Sequence, residues 1–454
     1  MSIPGIPLKD KTMEKIILSP YTHLFEEKEN CYIFNAESLF FSRIDESTYT
    51  SLIDHSFGDL DKDVIDTLMQ KQIIIYERDR YNAYNHALTG YLTSAYSSDT
   101  MSLIIAPTTG CNFECPYCFE PKKNPKTITH EVEDKLIEYI NKQEHIKNIS
   151  LTWYGGEPLL CMDAIRRIYD RIIEETDKTI IYQDIISNSY LINDAAIEMM
   201  KHCKMNRIQV SIDGAESNHD KTRYLRGSHA STYKIIERNI ENLAKAMPDL
   251  QISIRVNITK ENWEDFVTIY NKYCDNDEEW HKNIFPYPGI IRMDTKDGCR
   301  LSHQCYRLSD LVDLYLLIGK NGVNVNMFPK LRVRGCMMQR QNSFIVGPEG
   351  ELYKCWNDVS NSEKTIGSIM DNKRHHYDIL MKYMQECSPF GEECRECPVF
   401  PICDGGCGHV RYRNKFENGS FERCSSYKDS EKLKKALLYS ISSDKDKKKK
   451  RLNF

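Results

Sequence analysis

An alternation of strand-like and helix-like segments over residues 101–325 constrains the fold more than any other feature of the chain. The strand-like SLIIAP precedes HEVEDKLIEYINKQ, in which Val132, Leu136, Ile137 and Ile140 share one helix face. Five further pairs follow, the last being NIFPYPGIIRM and SDLVDLYLLIGKN. Six βα units in a row predict an α/β fold with a parallel sheet curved into a partial (βα)6 TIM-like barrel. The active site of such a barrel lies at the C-terminal ends of its strands.

Different patterns flank this barrel, which we assign to residues 96–328. Residues 1–95 contain two strand-like runs in CYIFNAESLFFSRID, two helix-like segments and the strand-like IIIYERD, which predict a winged-helix-like α+β module. Residues 329–430 are rich in cysteine and poor in periodicity, so we expect metal to organise this zone. Residues 431–454 end in KDKKKKRLNF, which predicts a solvated, disordered basic tail.

Composition narrows the class of protein. The chain has 454 residues, 41% of them hydrophobic and 28% charged, with a formal net charge of −5, which is ordinary for a globular protein and favours neither nucleic acid nor an anionic membrane. No apolar run is long enough to span a membrane, and MSIPGIPLKDKTMEK lacks the apolar core of a secretory signal. We therefore expect a cytoplasmic protein whose 17 cysteines serve metal binding or catalysis rather than disulfides.

A cysteine loop, GCNFECPYCFE, follows the first predicted strand. Its cysteines, Cys111, Cys115 and Cys118, have the spacing C-x3-C-x2-C. Thiolates are the usual ligands of iron–sulfur clusters, and three of them bind three irons of a 4Fe–4S cube while the fourth iron lacks a protein ligand. An open coordination position is typical of a reactive metal site. A zinc site or an accidental group of cysteines is the alternative, which the position at a strand end disfavours.

With Tyr117 before its third cysteine, this loop resembles the signature of radical S-adenosyl-L-methionine (SAM) enzymes. The resemblance implies that SAM chelates the open iron and is cleaved to a 5′-deoxyadenosyl radical, which abstracts hydrogen from the substrate. It also implies a set of cofactor-binding residues near successive strand ends: Tyr117, Gly155, Gly156, Glu157, Asn188, Ser211, Arg255 and Asn257. The family often has TNG after the third strand, whereas this chain has SNS at 187–189, and the loss of glycine is expected to narrow the backbone there.

Seven more cysteines resemble, in order and spacing, the SPASM domain that follows many radical SAM barrels. The resemblance implies that one auxiliary 4Fe–4S cluster is held by Cys394, Cys397, Cys403 and Cys424. A second would be held by Cys336, Cys355 and Cys407, which supply only three ligands. Either Cys299 or Cys305 supplies the fourth, or the site is open and binds a substrate thiolate, which is the reading we favour. The alternative is a zinc-binding region built from C-x2-C pairs.

The SPASM resemblance implies a peptide or protein substrate. Residues 1–95 resemble the leader-recognition domains of maturases that act on ribosomally made peptides (RiPPs), which favours a precursor peptide that receives a thioether or carbon–carbon crosslink. The alternatives are a sulfatase oxidised to formylglycine, a non-catalytic iron–sulfur electron carrier, and an N-terminal module that only braces the barrel. A reducing partner such as flavodoxin or ferredoxin is expected. No catalytic base is identified, because strand-end residues such as Asp213 and Asp294 are more often caps or ion-pair partners.

Overall fold

A computed structural model describes residues 14–97, 99–118, 125–275, 278–291, 304–333, 335–371, 376–442 and 452–453. The chain divides into two compact units. The first comprises Met1–Tyr91, Pro329–Arg334 and Phe390–Gly405, and the second comprises Leu92–Phe328, Gly335–Pro389 and Gly406–Phe454. The cysteine-rich zone is therefore shared between the units, since its segment 390–405 associates with the N-terminal residues through contacts that sequence pattern does not reveal.

The first unit contains a three-stranded antiparallel sheet in the order β2-β3-β4. Its elements are β1 (Ile16–Leu18), β2 (Thr22–Glu27), β3 (Asn30–Asn35), β4 (Phe41–Ile44), α1 (Glu46–Ile53), α2 (Lys62–Gln70) and β5 (Ile74–Tyr76). The next helix, α3 (Asn82–Tyr96), begins in the first unit and ends in the second. Ile33 lies on the sheet face that packs against Leu52 and Ile74 in the apolar core. The strands and helices predicted within residues 31–76 are confirmed, whereas α3, which has no regular apolar spacing, was not predicted.

The second unit is built on a sheet whose six parallel strands follow the chain order. These strands are β6 (Thr100–Thr108), β7 (Asn148–Gly155), β8 (Thr179–Ser187), β9 (Arg207–Ile212), β10 (Gln251–Ile258) and β11 (Ile284–Ile290). The helices between them are α4 (His130–Asn141), α5 (Met162–Glu175), α6 (Asp194–His202), α7 (Glu216–Thr222), α8 (Tyr233–Ala246) and α9 (Trp263–Cys274). This alternation confirms the predicted parallel sheet of a partial TIM-like barrel.

Apolar side chains cover the helix-facing side of the sheet. Alternate residues of β10, Ile252, Ile254, Val256 and Ile258, are fully buried. On α4 the predicted apolar face is confirmed, because Val132, Leu136, Ile137 and Ile140 are all buried. The other side chains of each strand face the opposite side, so residues such as Ser211 and Asn257 lie on the inner face of the sheet.

The C-terminal residues extend this sheet and add short helices. After α10 (Leu311–Lys320) and β12 (Val325–Asn326), β13 (Ser343–Val346) pairs parallel with β6, and β14 (Glu351–Tyr353) and β15 (Gly367–Ser368) continue the sheet antiparallel. The remaining elements are α11 (Tyr377–Met381), α12 (Glu392–Arg395), α13 (Gly408–Phe416), α14 (Ser430–Ser442) and β16 (Leu452–Asn453). Part of the predicted tail is thus helical in α14, while 443–451 lie outside the described residues. Among the described helices none has the length and apolarity needed to cross a membrane.

Candidate functional site

The predicted motifs meet at the carboxyl ends of β6 to β10. The cysteine loop follows β6, the GGEP turn follows β7, and the SNS segment begins at the end of β8. Asp213 follows β9, and Asn257 is the second-last residue of β10. Because these strands are parallel neighbours, the structure brings together residues that are more than a hundred positions apart.

Two glycines allow the turn after β7 to contact the backbone of the cysteine loop. Gly155 has a φ of +122°, and a Cβ atom there would lie 2.2 Å from the carbonyl oxygen of Thr108. A Cβ atom on Gly156 would lie 2.2 Å from the carbonyl oxygen of Gly110. The amide of Glu157 donates to that same Gly110 oxygen at 2.8 Å. The glycines are therefore required by a backbone contact that positions the residue directly before Cys111.

Glu157 connects this turn to the end of β8. Its side chain is fully buried, and its carboxylate accepts hydrogen bonds from Ser187 Oγ at 2.8 Å and from the backbone amide of Asn188 at 2.7 Å. Burial raises the pKa of Glu157, while these hydrogen bonds act in the opposite direction. The carboxylate of Glu157 therefore binds groups of the protein itself, at the end of β8. Its predicted contact with the SAM amino group stays a prediction.

Asn188 lies next to the first cluster cysteine. Its Nδ2 donates to Asn112 Oδ1 at 2.8 Å and lies 3.8 Å from Cys111 Sγ. Ser189, at the position of the family glycine, has a φ of +63° and is fully buried. Serine thus adopts the left-handed conformation that glycine adopts at little cost, so the absence of glycine does not prevent that conformation here. Among the described residues, Ser189 Oγ has no hydrogen-bond partner.

A polar network anchors Tyr117 to the neighbouring strand ends. The Tyr117 hydroxyl donates a short hydrogen bond to Asp213 and accepts one from Arg223 at 3.1 Å. Asp213 also accepts from Thr222 Oγ1 at 2.7 Å and from Asn257 Nδ2 at 2.9 Å. Burial and the adjacent carboxylate hold the pKa of Tyr117 well above its ordinary value, so the hydroxyl stays protonated. Asp213 and Asn257 are thus engaged in holding the cysteine loop in place.

Ser211 and Arg255 are cross-strand neighbours on the inner face of the sheet. Arg255 is exposed and its Nε donates to Asn257 Oδ1 at 3.1 Å. A Cβ atom at Gly289 on β11 would lie 2.6 Å from that Nε, so glycine leaves room for the guanidinium. The structure therefore brings the predicted cofactor residues of β9 and β10 together, and their individual contacts with SAM stay predictions.

The donor set around the cysteine loop fits an iron–sulfur cluster. Burial, and next the carboxylate of Glu157, raise the pKa of the Cys111 thiol to about 12, so its thiolate form needs a bound cation. The amide of Phe113 donates to Cys111 Sγ at 3.4 Å, as is usual for cluster sulfur ligands. Nδ2 of Asn112 and Nε of Arg223 are buried donors without a hydrogen-bond partner in the described ranges. An anionic group at this site would satisfy such donors.

The second cysteine set is divided between the two units. Cys394, Cys397 and Cys403 belong to the first unit, and Cys424 belongs to the second, so this predicted cluster stays a prediction. Cys336, Cys355 and Cys407 all belong to the second unit. Burial and then the Asp358 carboxylate hold the pKa of Cys355 well above its ordinary value, and the thiols of Cys407 and Cys336 act in the same direction. Gly408, next to Cys407, packs against Met338 and Gln339 of the turn that follows Cys336, so Cys336 and Cys407 lie on adjoining segments.

Two further potential ligands lie beside Cys355. The thiol sulfur of Cys355, a carboxylate oxygen of Asp358 and an imidazole nitrogen of His409 lie within 4.8 Å of one another. Asp358 Oδ2 accepts a hydrogen bond from the Tyr383 hydroxyl at 2.5 Å. Burial raises the pKa of Asp358 to about 6, and burial with the adjacent Arg413 lowers the pKa of His409 to about 4. Of the two cysteines predicted as possible fourth ligands, Cys305 is buried and Cys299 lies outside the described residues. Asp294, the strand-end aspartate considered with Asp213, also lies outside them.

Sequence reasoning did not identify Asn112, Arg223, Asp358 or His409. Asn112 and Arg223 carry no motif, although Asn112 directly follows the first cluster cysteine. His409 lies two residues after Cys407, a spacing that offered a signal once a missing fourth ligand had been noticed. Asp358 lies three residues after Cys355. These four residues stand out because they are near side chains that are distant in sequence, and for three of them because a buried polar atom lacks a hydrogen-bond partner in the described part of the chain. The spacing of a sequence motif carries no information on such contacts.

Comparison with known proteins agrees with this geometry. Residues 105–273 match the model of the radical SAM superfamily. The cysteine-type anaerobic sulfatase-maturating enzyme of Clostridium perfringens strain 13 is 24% identical over 362 residues, which cover 72% of this chain and 95% of the relative. The chain thus contains a radical SAM domain and is an enzyme of radical chemistry, which confirms the resemblance drawn from the cysteine loop. The alternative of a non-catalytic electron carrier is set aside.

Two solved structures share the fold. The structure of anSMEcpe with bound AdoMet (SAM) and Cp18Cys peptide has a TM-score of 0.53 and 19% identity, and covers 75% of this chain and 97% of its own. Streptococcus suis SuiB bound to the precursor peptide SuiA has a TM-score of 0.50 and 14% identity, and covers 91% of this chain and 99% of its own. At these identities the likeness establishes the fold.

Replacing Gly156 by alanine tests the backbone contact. The added Cβ would collide with the Gly110 carbonyl, which no side-chain movement relieves, so the turn and the cysteine loop must separate. We expect Gly156→Ala to bind less iron and to form 5′-deoxyadenosine about a hundredfold more slowly, since a displacement of about 1 Å has that effect on reacting groups. Gly58→Ala is the control, because nothing lies within 4 Å of its added Cβ. Unchanged iron content and rate in Gly156→Ala would contradict the inferred role.

Replacing Ser189 by glycine tests the left-handed conformation. The change removes both the backbone strain and a buried hydroxyl without a recorded partner, so we expect stabilisation by about 1 kcal/mol. The midpoint of thermal unfolding measures it. Ser360→Gly is the matched control, since Ser360 has a φ of +66° but is exposed, and we expect a smaller gain there. A lower midpoint for Ser189→Gly than for the unmodified protein would show that the hydroxyl is needed.

Proposed function

We propose that this chain is a radical SAM peptide maturase that binds the leader of a ribosomally made precursor peptide and installs a thioether or carbon–carbon crosslink in it. The observation that carries the proposal is the half-buried aromatic face of the sheet in the first unit. Phe25, Tyr32 and Phe41 stack on one another, with ring centroids 5.4 to 6.1 Å apart, on the face opposite the apolar core.

This sheet has the features of a peptide-binding element. β2 and β4 are its edge strands, so each presents one row of backbone groups to an incoming chain. An extended peptide adds to such an edge through main-chain hydrogen bonds, while side-chain contacts on the sheet face provide specificity. The three aromatic rings lie on all three strands, next to both edges, and aromatic rings supply large contact areas. We infer that the leader lies along an edge of this sheet and packs against these rings.

The barrel would supply the chemistry. Cys111, Cys115 and Cys118 would hold a 4Fe–4S cluster and Ser211, Arg255 and Asn257 would line the SAM site. SAM, when bound and reduced through the cluster, supplies a 5′-deoxyadenosyl radical. The chain's own residues would orient the cofactor by fixing the cysteine loop: the GGEP turn holds Gly110, and a hydrogen bond to Asp213 holds Tyr117. Two auxiliary clusters in the C-terminal zone complete the proposal, and a flavodoxin or ferredoxin would deliver the electron.

A second candidate is the oxidation of a sulfatase cysteine or serine to formylglycine. It is favoured by the Clostridium perfringens relative, a sulfatase-maturating enzyme of which 95% is covered at 24% identity. SuiB, which is bound to a precursor peptide, is similar over 91% of this chain, whereas anSMEcpe is similar over 75%. The wider coverage supports the precursor-peptide reading, because the first unit would then have a function of its own.

Product analysis separates the two candidates. The dithionite-reduced protein is incubated with SAM and either the short peptide encoded beside its gene or a cysteine-containing sulfatase peptide. We expect 5′-deoxyadenosine formation and, in the first peptide alone, a loss of hydrogen with a crosslink located by fragmentation mass spectrometry. An aldehyde in the sulfatase peptide, trapped with a hydrazide, would instead establish the second candidate. Absence of 5′-deoxyadenosine with either peptide would refute both.

Substitution in the aromatic face tests leader binding. Tyr32→Ala removes the ring that stacks on both Phe25 and Phe41, so we expect the affinity for a fluorescent leader peptide to fall about tenfold, equivalent to about 1.4 kcal/mol. Fluorescence anisotropy gives the affinity. Tyr32→Phe should retain it, and Tyr182→Ala, which changes a partly exposed strand tyrosine of the second unit, should leave it unchanged. Equal affinities for the unmodified protein and a folded Tyr32→Ala variant would exclude this surface.

A further inference from the structure

The three cysteines Cys336, Cys355 and Cys407 supply three ligands of a four-ligand site, and further potential ligands lie beside Cys355. Helix α13 begins beside the turn that carries Cys336, because a Cβ atom on Gly408 would lie 2.0 Å from Met338 Sδ and 2.5 Å from Gln339 Nε2. That close packing brings Cys407 and His409, on either side of Gly408, next to the Cys336 turn. Cys355 adjoins the same place through its approach to His409.

His409 and Asp358 both lie within 4.8 Å of the Cys355 sulfur, but they differ in what else they contact. Asp358 already accepts a hydrogen bond from the Tyr383 hydroxyl at 2.5 Å, and Tyr383 in turn is stacked on Tyr412 with centroids 4.7 Å apart. Nδ1 of His409 is shielded from solvent and has no hydrogen-bond partner in the described part of the chain. The imidazole Nδ1 is therefore available to a ligand, whereas one of the two carboxylate oxygens of Asp358 is already engaged by a packed tyrosine.

We propose that His409 is the fourth protein ligand of the auxiliary iron–sulfur cluster held by Cys336, Cys355 and Cys407. The inference rests on the iron–sulfur chemistry of the proposed function, and it replaces the open site favoured from sequence. Histidine is an established substitute for cysteine in iron–sulfur centres, where it raises the reduction potential because it carries no negative charge. Asp358, whose Oδ2 is engaged by the Tyr383 hydroxyl, is not assigned as a ligand.

A closed site has a consequence for the reaction. With all four irons bound by protein, this cluster has no vacant position for a substrate thiolate, and its role is limited to electron transfer. Loss of the imidazole would open one position. External thiols or cyanide should then bind to the variant and alter the spectrum of its reduced cluster, while leaving the unmodified protein unchanged.

Nitrogen coordination can be measured in the full-length, reconstituted protein without turnover. Pulsed electron paramagnetic resonance of the reduced clusters should show a strong nitrogen coupling that changes when the protein is labelled with ¹⁵N-histidine. The coupling should vanish in His409→Ala and His409→Cys, and persist in Asp358→Asn. His409→Cys should keep its iron and show a lower reduction potential. His202→Ala, which changes an exposed imidazole bonded to Asp170, is the control and should retain the coupling.

Several results would overturn the proposal. A cluster-loaded protein without histidine coupling, or a coupling that survives in His409→Ala, would remove His409 as the ligand. Loss of cluster integrity in Asp358→Asn with an unchanged spectrum in His409→Ala would assign the position to Asp358. Zinc in place of iron, lost in Cys355→Ala, would make the set a Cys3His zinc site. Each outcome is independent of 5′-deoxyadenosine formation, so failure here is distinguishable from failure of the proposed maturase activity.

Discussion

The contact between the turn after β7 and the backbone before Cys111 is the constraint on which the rest of the site depends. Both contact surfaces are main chain, since Gly155 meets Thr108 and Gly156 meets Gly110. A larger residue at either glycine would collide with a backbone carbonyl oxygen, and no side-chain movement could remove that collision. The position of the cysteine loop is therefore set by the end of the second barrel strand, and the buried carboxylate of Glu157 extends the same support to the third.

The opposite end of the loop is held by charge and hydrogen bonding. The partly buried Tyr117 and the buried Asp213 and Arg223 form a group that joins the loop to the segments after β9. Leaving one of these polar groups unpaired would cost about 1 to 3 kcal/mol, so the network favours a single arrangement. The loop is held at Gly110 and at Tyr117, so it is constrained on both sides of Cys111 and Cys115, which favours the preorganisation that a reactive cofactor site requires.

Much of the fold could be predicted, because helix and strand periodicity are local properties. The apolar face of α4 and the six parallel strands are examples. Local pattern failed for α3, whose apolar residues are irregularly spaced, and for α14, which lies in the predicted tail. The site was predictable as a set of strand ends, but the contacts of Glu157 and Tyr117 were not. Each depends on a partner that folding brings from 30 or 96 positions away.

The sequence by itself indicated the chemistry of the first site, because Cys111, Cys115 and Cys118 lie within eight residues and one loop can bring them to a single predicted cluster. Only the tertiary structure decided what surrounds the second cysteine set. His409 and Asp358 are separated by 51 residues, and they meet beside Cys355 through the packing of separate segments of the second unit. The spacing of residues in the sequence can predict side chains that come together within one loop. Side chains from distant segments come together only through the packing of those segments.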